Sequence, residues 1–129
     1  MAITKPLTVD DGQIARLQPG DGLQIARLNL GPLGPAIPLV LNTITITKSW
    51  HQVFIASGTT AQRSVRTILG GLEGDILILQ KSLLSDALII DDNAGNIRSA
   101  GNFTLNVPED KITLLCTGLE WHELTRSNN

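Results

Sequence analysis

Thr43-Ile44-Thr45-Ile46-Thr47 decides the fold class. Its strict alternation has the period of two that marks a half-buried β-strand. Both residue types are β-branched and suit a pleated surface. Toward the C-terminus, further short runs of strand character follow at 52–56, 64–69, 75–80, 87–91, 103–106, 111–116 and 119–124. Turn chemistry separates most of them. Gly70-Gly71 and Gly74-Asp75 bracket one junction, and Asp91-Asp92-Asn93-Ala94-Gly95-Asn96 marks a turn before Ile97. Val107-Pro108-Glu109-Asp110 places proline where a type I turn favours it. Thr117-Gly118 can close a hairpin between the last two runs. Seven or eight short strands at a spacing of roughly 8–12 residues predict an all-β domain, a small antiparallel β-sandwich or barrel. No long stretch of helical period competes, although residues 81–86 read as a single helical turn.

Composition agrees with one folded domain. The chain has 129 residues, 42% hydrophobic and 17% charged, whereas a disordered chain is poorer in the first and richer in the second. Ten basic and twelve acidic residues give a net charge of −2, too weak a field to gather phosphates. The basic residues Arg63, Arg66, Lys81, Arg98, Lys111 and Arg126 are scattered rather than striped. Aromatic residues are 3% of the chain, with no tyrosine, which leaves little material for stacking bases or sugars. The expectation is no nucleic acid partner. No apolar run reaches the ~18 residues of a membrane span, so no membrane partner is expected either. The N-terminus lacks a basic stretch followed by an apolar run, the mark of a secretory signal, and synthesis in a cytoplasm is expected.

Residues 1–41 differ from the rest. They hold five of the six prolines, Pro6, Pro19, Pro32, Pro35 and Pro38. Such spacing disfavours helix or central strand, because proline lacks the backbone donor and fixes φ. Residues 29–41 read as an extended, polyproline-like connector, and 1–41 as an N-terminal arm ahead of a compact β-domain over 42–129. The arm contains an internal echo. Gln13-Ile14-Ala15-Arg16-Leu17 returns as Gln24-Ile25-Ala26-Arg27-Leu28, each copy after an Asp-Gly that favours a turn. One reading is a chance duplication of a turn and a short strand. The other is an arm that lays Ile14, Leu17, Ile25 and Leu28 on another surface, since repeats this short need neighbours to bury their apolar face.

Catalytic constellations are hard to assemble from this chain. The single cysteine, Cys116, excludes an internal disulfide and sits in an apolar run, where a buried inert thiol is the simplest reading. His51 and His122 each follow a tryptophan, and Glu120 and Glu123 flank the second. Neither histidine belongs to a metal-ligand spacing. Because strand neighbours point to opposite faces, His122 faces out if Trp121 faces the core. A solvent-facing or interface role is expected for both, with an ion bound near a symmetry axis as a further option. Gly-x-Ser-x-Gly is absent, and Gly70-Gly71-Leu72-Glu73-Gly74 is not followed by Gly-Lys-Ser/Thr. The acidic turn at 91–96 resembles a calcium loop but lacks the glutamate that closes one. No catalytic residue, metal site or cofactor is therefore expected. Trp121, Phe103, Ile112 and Leu114 are expected in the core.

A resemblance carries the reading further. Thr43-Ile44-Thr45-Ile46-Thr47-Lys48-Ser49-Trp50-His51 is followed by Gly70-Gly71-Leu72-Glu73-Gly74-Asp75-Ile76-Leu77-Ile78-Leu79, then by Gly95-Asn96-Ile97-Arg98, Gly101-Asn102-Phe103-Thr104-Leu105 and Asp110-Lys111-Ile112-Thr113-Leu114-Leu115. The series closes with Gly118-Leu119-Glu120-Trp121-His122-Glu123-Leu124-Thr125-Arg126-Ser127-Asn128-Asn129. It resembles a β-module recurrent at the C-termini of tailed-bacteriophage virion proteins, tail appendages among them. The opening Lys5-Pro6-Leu7-Thr8-Val9-Asp10-Asp11-Gly12-Gln13-Ile14, with Leu17 and Gly20-Asp21, is similar to the lead-in of the same proteins. Two departures stand out. Cys116-Thr117 replaces a polar, Asp-bearing turn, and no fibre shaft lies between lead-in and module.

The resemblance implies a homotrimer and a structural role in a virion, not an enzyme. The chain starts at Met1 without a shaft, so the expectation is a complete small accessory subunit: a capsid decoration (cement) protein. It would bind the head, through the major capsid protein or another virion protein, and stabilise it with the N-terminal arm. A tail fibre, tail appendage or receptor-binding protein is the alternative on the same resemblance. A small hydrolase built on the two histidines is the third.

Overall fold

The computed structural model describes residues 9–10, 13–14, 28–55 and 63–129. The strands in chain order are β1 (Val9–Asp10), β2 (Gln13–Ile14), β3 (Ile37–Leu39), β4 (Thr43–Thr45), β5 (Trp50–Ile55), β6 (Ser64–Val65), β7 (Thr67–Leu69), β8 (Ile76–Lys81), β9 (Leu88–Ile90), β10 (Ile97–Arg98), β11 (Phe103–Leu105), β12 (Lys111–Cys116) and β13 (Trp121–Ser127). Among the described residues there is no helix, and 81–86 forms the end of β8 and a turn closed by Ser85 N–H donating to the Ser82 carbonyl at 3.0 Å.

The fold is all-β, as its alternation requires, but it is a short β-solenoid rather than an antiparallel sandwich or barrel. Three walls enclose the core: a six-stranded sheet in the order β10-β13-β12-β8-β5-β3, a three-stranded sheet β11-β9-β6, and the pair β4-β7. The pairs β3/β5, β5/β8, β4/β7 and β6/β9 are parallel. In the last three pairs each strand meets its partner a full revolution later, roughly 24–28 residues on, a length typical of stacked repeats, whereas β3 meets β5 after a shorter first coil. Between the parallel strands, corners take the place of hairpins. They bend the chain onto the next wall instead of reversing it. At one corner the Asn42 carbonyl accepts from Arg66 N–H and Thr67 N–H at 2.9 and 3.2 Å, one revolution later. At the next level Asn96 imitates a strand residue with its side chain. Its Oδ1 accepts from Ile68 N–H at 2.9 Å, and its Nδ2 donates to the Ile68 carbonyl at 2.8 Å.

Stacked like residues fill the interior. Ile44 lies on Ile68, Val65 on Ile90, Leu88 on Leu105, Leu79 on Ile112 and Leu77 on Leu114. Trp121, Phe103, Ile112 and Leu114 are all buried, with Trp121 only 1% exposed. Gly71 lies so close against the Trp121 ring that a side chain at position 71 would occupy the space of the indole. Cys116 is a buried free thiol.

After β10 the chain turns back. β11 packs antiparallel on β9, β12 antiparallel on β8, and β13 antiparallel on β12, while β10 lies parallel beside β13. The β12–β13 turn is closed by Thr117 N–H donating to the Glu120 carbonyl at 2.8 Å.

The boundary drawn at residue 41 needs correction. Ile37 and Leu39 are buried, and β3 pairs with β5 as part of the six-stranded sheet. Residues 37–41 thus belong to the β-domain, and of the connector only 29–36 lie outside it. Pro38 concealed this strand. It is tolerated because, among the described residues, β3 is an edge strand, where a missing N–H costs the ladder nothing.

Candidate functional site

The connector meets the β-domain at one fixed point. Gly34 N–H donates to the Trp50 carbonyl at 2.7 Å. One residue on, the Pro35 carbonyl lies 2.8 Å from His51 Nδ1. His51 Nε2 accepts from Thr47 N–H and Lys48 N–H, both at 2.9 Å. Two donors on Nε2 require the tautomer with its proton on Nδ1, which donates to Pro35. His51 is fully buried. It is neither solvent-facing nor at an interface, which corrects the expectation from sequence, because every polar atom of its ring is spent within the fold. A Cβ at position 34 would lie 2.7 Å from the His51 ring, so only glycine lets the connector approach this closely. Before this clamp residues 28–33 run largely exposed, with Leu28 73% accessible.

Beside the clamp the solenoid ends on β3 and β4. Their link is a two-residue turn in which Leu41 and Asn42 both have positive φ, 50° and 60°. Asparagine tolerates this region, but leucine does so at a cost of ~1–2 kcal/mol. The Leu41 side chain is 74% exposed, and Val40 beside it is 56% exposed. Val40, Ile37, Pro38, Thr43 and Thr45 line a shallow apolar groove along this end.

The opposite end is closed by polar groups. Asp110 is buried, and its carboxylate accepts from Asn129 N–H at 2.6 Å, Asn106 N–H at 2.8 Å and Val107 N–H at 3.2 Å. Burial pushes its pKa up, but the three backbone donors outweigh it and hold the carboxyl below the ordinary value. Arg126 donates to both oxygens of Glu123, at 2.6 and 2.7 Å, and its guanidinium lies 4.6 Å from the Phe103 ring centre. That hydrogen-bonded pair lowers the pKa of Glu123, aided against burial by Ala100 N–H, and raises that of Arg126.

Lys81 is buried at a corner. Its ammonium donates to the carbonyls of Ser85 at 2.8 Å and Ser82 at 3.1 Å, with Leu83 at 3.5 Å. These bonds stitch the 82–85 turn to β8. His122 faces outward beside Glu120, which also pairs with Arg98 at 2.7 Å. His51 and His122 are therefore separated by burial and by role, and no described group of three or more His, Cys, Asp or Glu is placed to hold a metal. The acidic turn satisfies itself. Asp91 pairs with Arg66 at 2.8 Å, and Asp92 accepts from Ser99 N–H.

Of the proposed arm contacts, Leu28 is exposed, whereas Leu17, Ile25 and the side chain of Ile14 lie outside the described residues. One surface escaped the sequence reading. On the outer side of the six-stranded sheet stand Trp50, Phe54, Ile76, Ile78 and Leu115, all half-buried. Its signal was present in Ile76-Leu77-Ile78-Leu79, where both strand faces are apolar instead of alternating.

No family model, no curated protein and no solved structure matches the chain.

Proposed function

We propose that the protein is a non-catalytic structural component of a tailed-bacteriophage virion. In this reading it is a capsid decoration protein that binds the head as a homotrimer and stabilises it through its N-terminal segment. The observation that carries it is the clamp at Gly34, Pro35 and His51, which fixes where the proline-containing connector from residue 28 onward joins the β-domain. The resemblance of residues 43–129 and of the lead-in to phage virion modules supports it.

The mechanism is adhesion. Ile14, Leu17, Ile25 and Leu28 are the side chains assigned to neighbouring shell subunits. Burying one such side chain contributes about 1.5–3 kcal/mol, while ordering the segment costs ~1–2 kcal/mol per residue, reduced where proline already restricts the chain. A single segment is thus a weak tether. Three segments on one trimer bind with avidity, since the second and third engage at high effective concentration.

The test is co-sedimentation with capsids of the full chain and of a chain beginning at residue 29. Truncation at residue 42 is unsuitable because it removes the buried Ile37 and Leu39. The shorter chain should fold and fail to bind. Full-affinity binding without residues 1–28 overturns the mechanism. Labelled antibody on virions should mark heads; labelled tails place the protein in a tail appendage instead.

A further inference from the structure

The histidine that holds the connector uses both ring nitrogens inside the fold. His51 is fully buried. Its Nδ1–H donates to the Pro35 carbonyl at 2.8 Å, and its Nε2 accepts from Thr47 N–H and Lys48 N–H, both at 2.9 Å. This arrangement admits only the neutral ring. An imidazolium carries a proton on each nitrogen and has no acceptor left. A proton on Nε2 would point at two N–H donors, and no described group stands there to receive it. A buried charge without a partner costs far more than a buried hydrogen-bonded ring.

The surroundings do not compensate. Residues 29–36 and β3 contain no titratable side chain. The charged groups on the other elements around the ring are Lys48 on the 46–49 turn, Asp75 just before β8 and Lys81 at its end. Lys48 is an exposed cation. Asp75 accepts from Leu72 N–H at 2.8 Å, and the Lys81 ammonium is held by the carbonyls of Ser82 and Ser85. Among the described residues, the ring's hydrogen-bond partners are the backbone groups of Pro35, Thr47 and Lys48, with no carboxylate among them.

The connector depends on this ring. Among the described residues, two hydrogen bonds join 29–36 to the β-domain: the one from His51 to the Pro35 carbonyl, and Gly34 N–H to the Trp50 carbonyl. Gly34 lies against the same ring edge, where a Cβ would sit 2.7 Å from Cε1 and 2.8 Å from Nδ1. A ring that withdraws from Thr47 and Lys48 therefore presses on Gly34 or drops Pro35.

We propose that the clamp is a pH-sensitive latch: the neutral His51 ring closes the connector on the β-domain, and protonation of the ring releases it. The closed and open connector are the two states, and only the open one leaves Nε2 free to take a proton. A solvated imidazole does so at about pH 6.5. Each pH unit well below that value favours the open state about tenfold, so acid opens the latch and neutral pH closes it. The latch concerns the joint alone and does not depend on what residues 1–28 bind.

The experiment measures amide exchange of the full chain by NMR at about pH 7.5 and about pH 5, as protection factors, which divide out the chemical pH dependence of exchange. Gly34 N–H reports the latch. Leu114, buried in the middle of the six-stranded sheet, reports the fold. In wild type the protection of Gly34 should fall about 30-fold between the two conditions, with Leu114 unchanged. His51→Gln keeps a side-chain donor and acceptor but cannot titrate, and should show no fall. His122→Gln, at the exposed histidine, should behave as wild type. No fall in wild type overturns the latch, as does an equal fall at Gly34 and Leu114, a fall that His51→Gln shares, or one that His122→Gln abolishes. Should His51→Gln not fold, nitrogen NMR of the His51 ring in the wild type decides. The tautomer protonated on Nδ1 at the higher pH, with ring protonation in step with the loss of Gly34 protection, supports the latch. A ring that takes its second proton while Gly34 stays protected overturns it, as does a ring still neutral at the lower pH.

Discussion

The two ends of the solenoid are finished differently. At the C-terminal end the chain reverses, lays β11 to β13 over the last coil, and satisfies its buried groups internally. Asp110 takes three backbone donors, and Arg126 joins Glu123 to the Phe103 ring. At the N-terminal end a single histidine holds the incoming connector, the β3–β4 link is strained at Leu41, and Val40 and Leu41 stand exposed. A repeat stack needs a cap at each end to bury its last coil. Here one cap is built from the chain's own hairpin. The other end is where the connector joins the β-domain, which is why the proposed function places attachment there.

Substitutions sharpen this contrast. The largest effect is expected from Trp121→Ala at the closed end. The indole is almost fully buried against Gly71, and its loss should cost about 3–5 kcal/mol, read as a drop in the denaturant midpoint. An effect below about 1 kcal/mol would mean that the hairpin does not close the stack.

His51→Ala at the opposite end comes next. It leaves the amides of Thr47 and Lys48 and the carbonyl of Pro35 without their partner. An orphaned buried polar group costs about 1–3 kcal/mol, and entry of water at the vacated ring lowers the sum, so roughly 2–4 kcal/mol is expected. Hydrogen exchange should quicken at residues 34–39 and 47–48 while Asp110 and its neighbours stay protected. Uniform loss of protection would show that the two ends are not independent.

Acid should act on the closed end. Asp110 and Glu123 both have pKa values held below the ordinary carboxylate range. Their contribution is complete above the unfolded value of about 4 and is lost as pH falls through the lower folded value. The melting temperature should therefore fall between pH 5 and pH 2 (approximate limits of that window), and Asp110→Asn should flatten the decline. An unchanged slope in that variant would contradict the assigned role.

The smallest effect is a gain. Leu41→Gly relieves the positive φ without loss of packing, since the side chain is 74% exposed, and should stabilise by about 0.5–1 kcal/mol. If this leucine serves attachment, the same variant loses capsid affinity as it gains stability.

Much of the core was legible, and the reason is local. Alternation in Lys111–Cys116 states which side chains face inward, so Ile112 and Leu114 could be assigned. Alternation does not state which strand lies alongside. A hairpin and a solenoid corner use the same Gly, Asn and Asp residues, and only the long-range bonds of Asn42 and Asn96 distinguish them. β3 was hidden by Pro38, and β10, at Ile97–Arg98, by its brevity. The histidines were equally opaque. Trp50-His51 and Trp121-His122 look alike in sequence, yet the first ring is fully buried and the second is exposed, because Trp50 faces out and Trp121 faces in.

The proposed function stands on copies of the chain associating with one another. The most direct measurement is the mass of the full-length protein in solution at micromolar concentration. The account predicts a stable species of about three times 13.8 kDa; a clean 13.8 kDa monomer would contradict it.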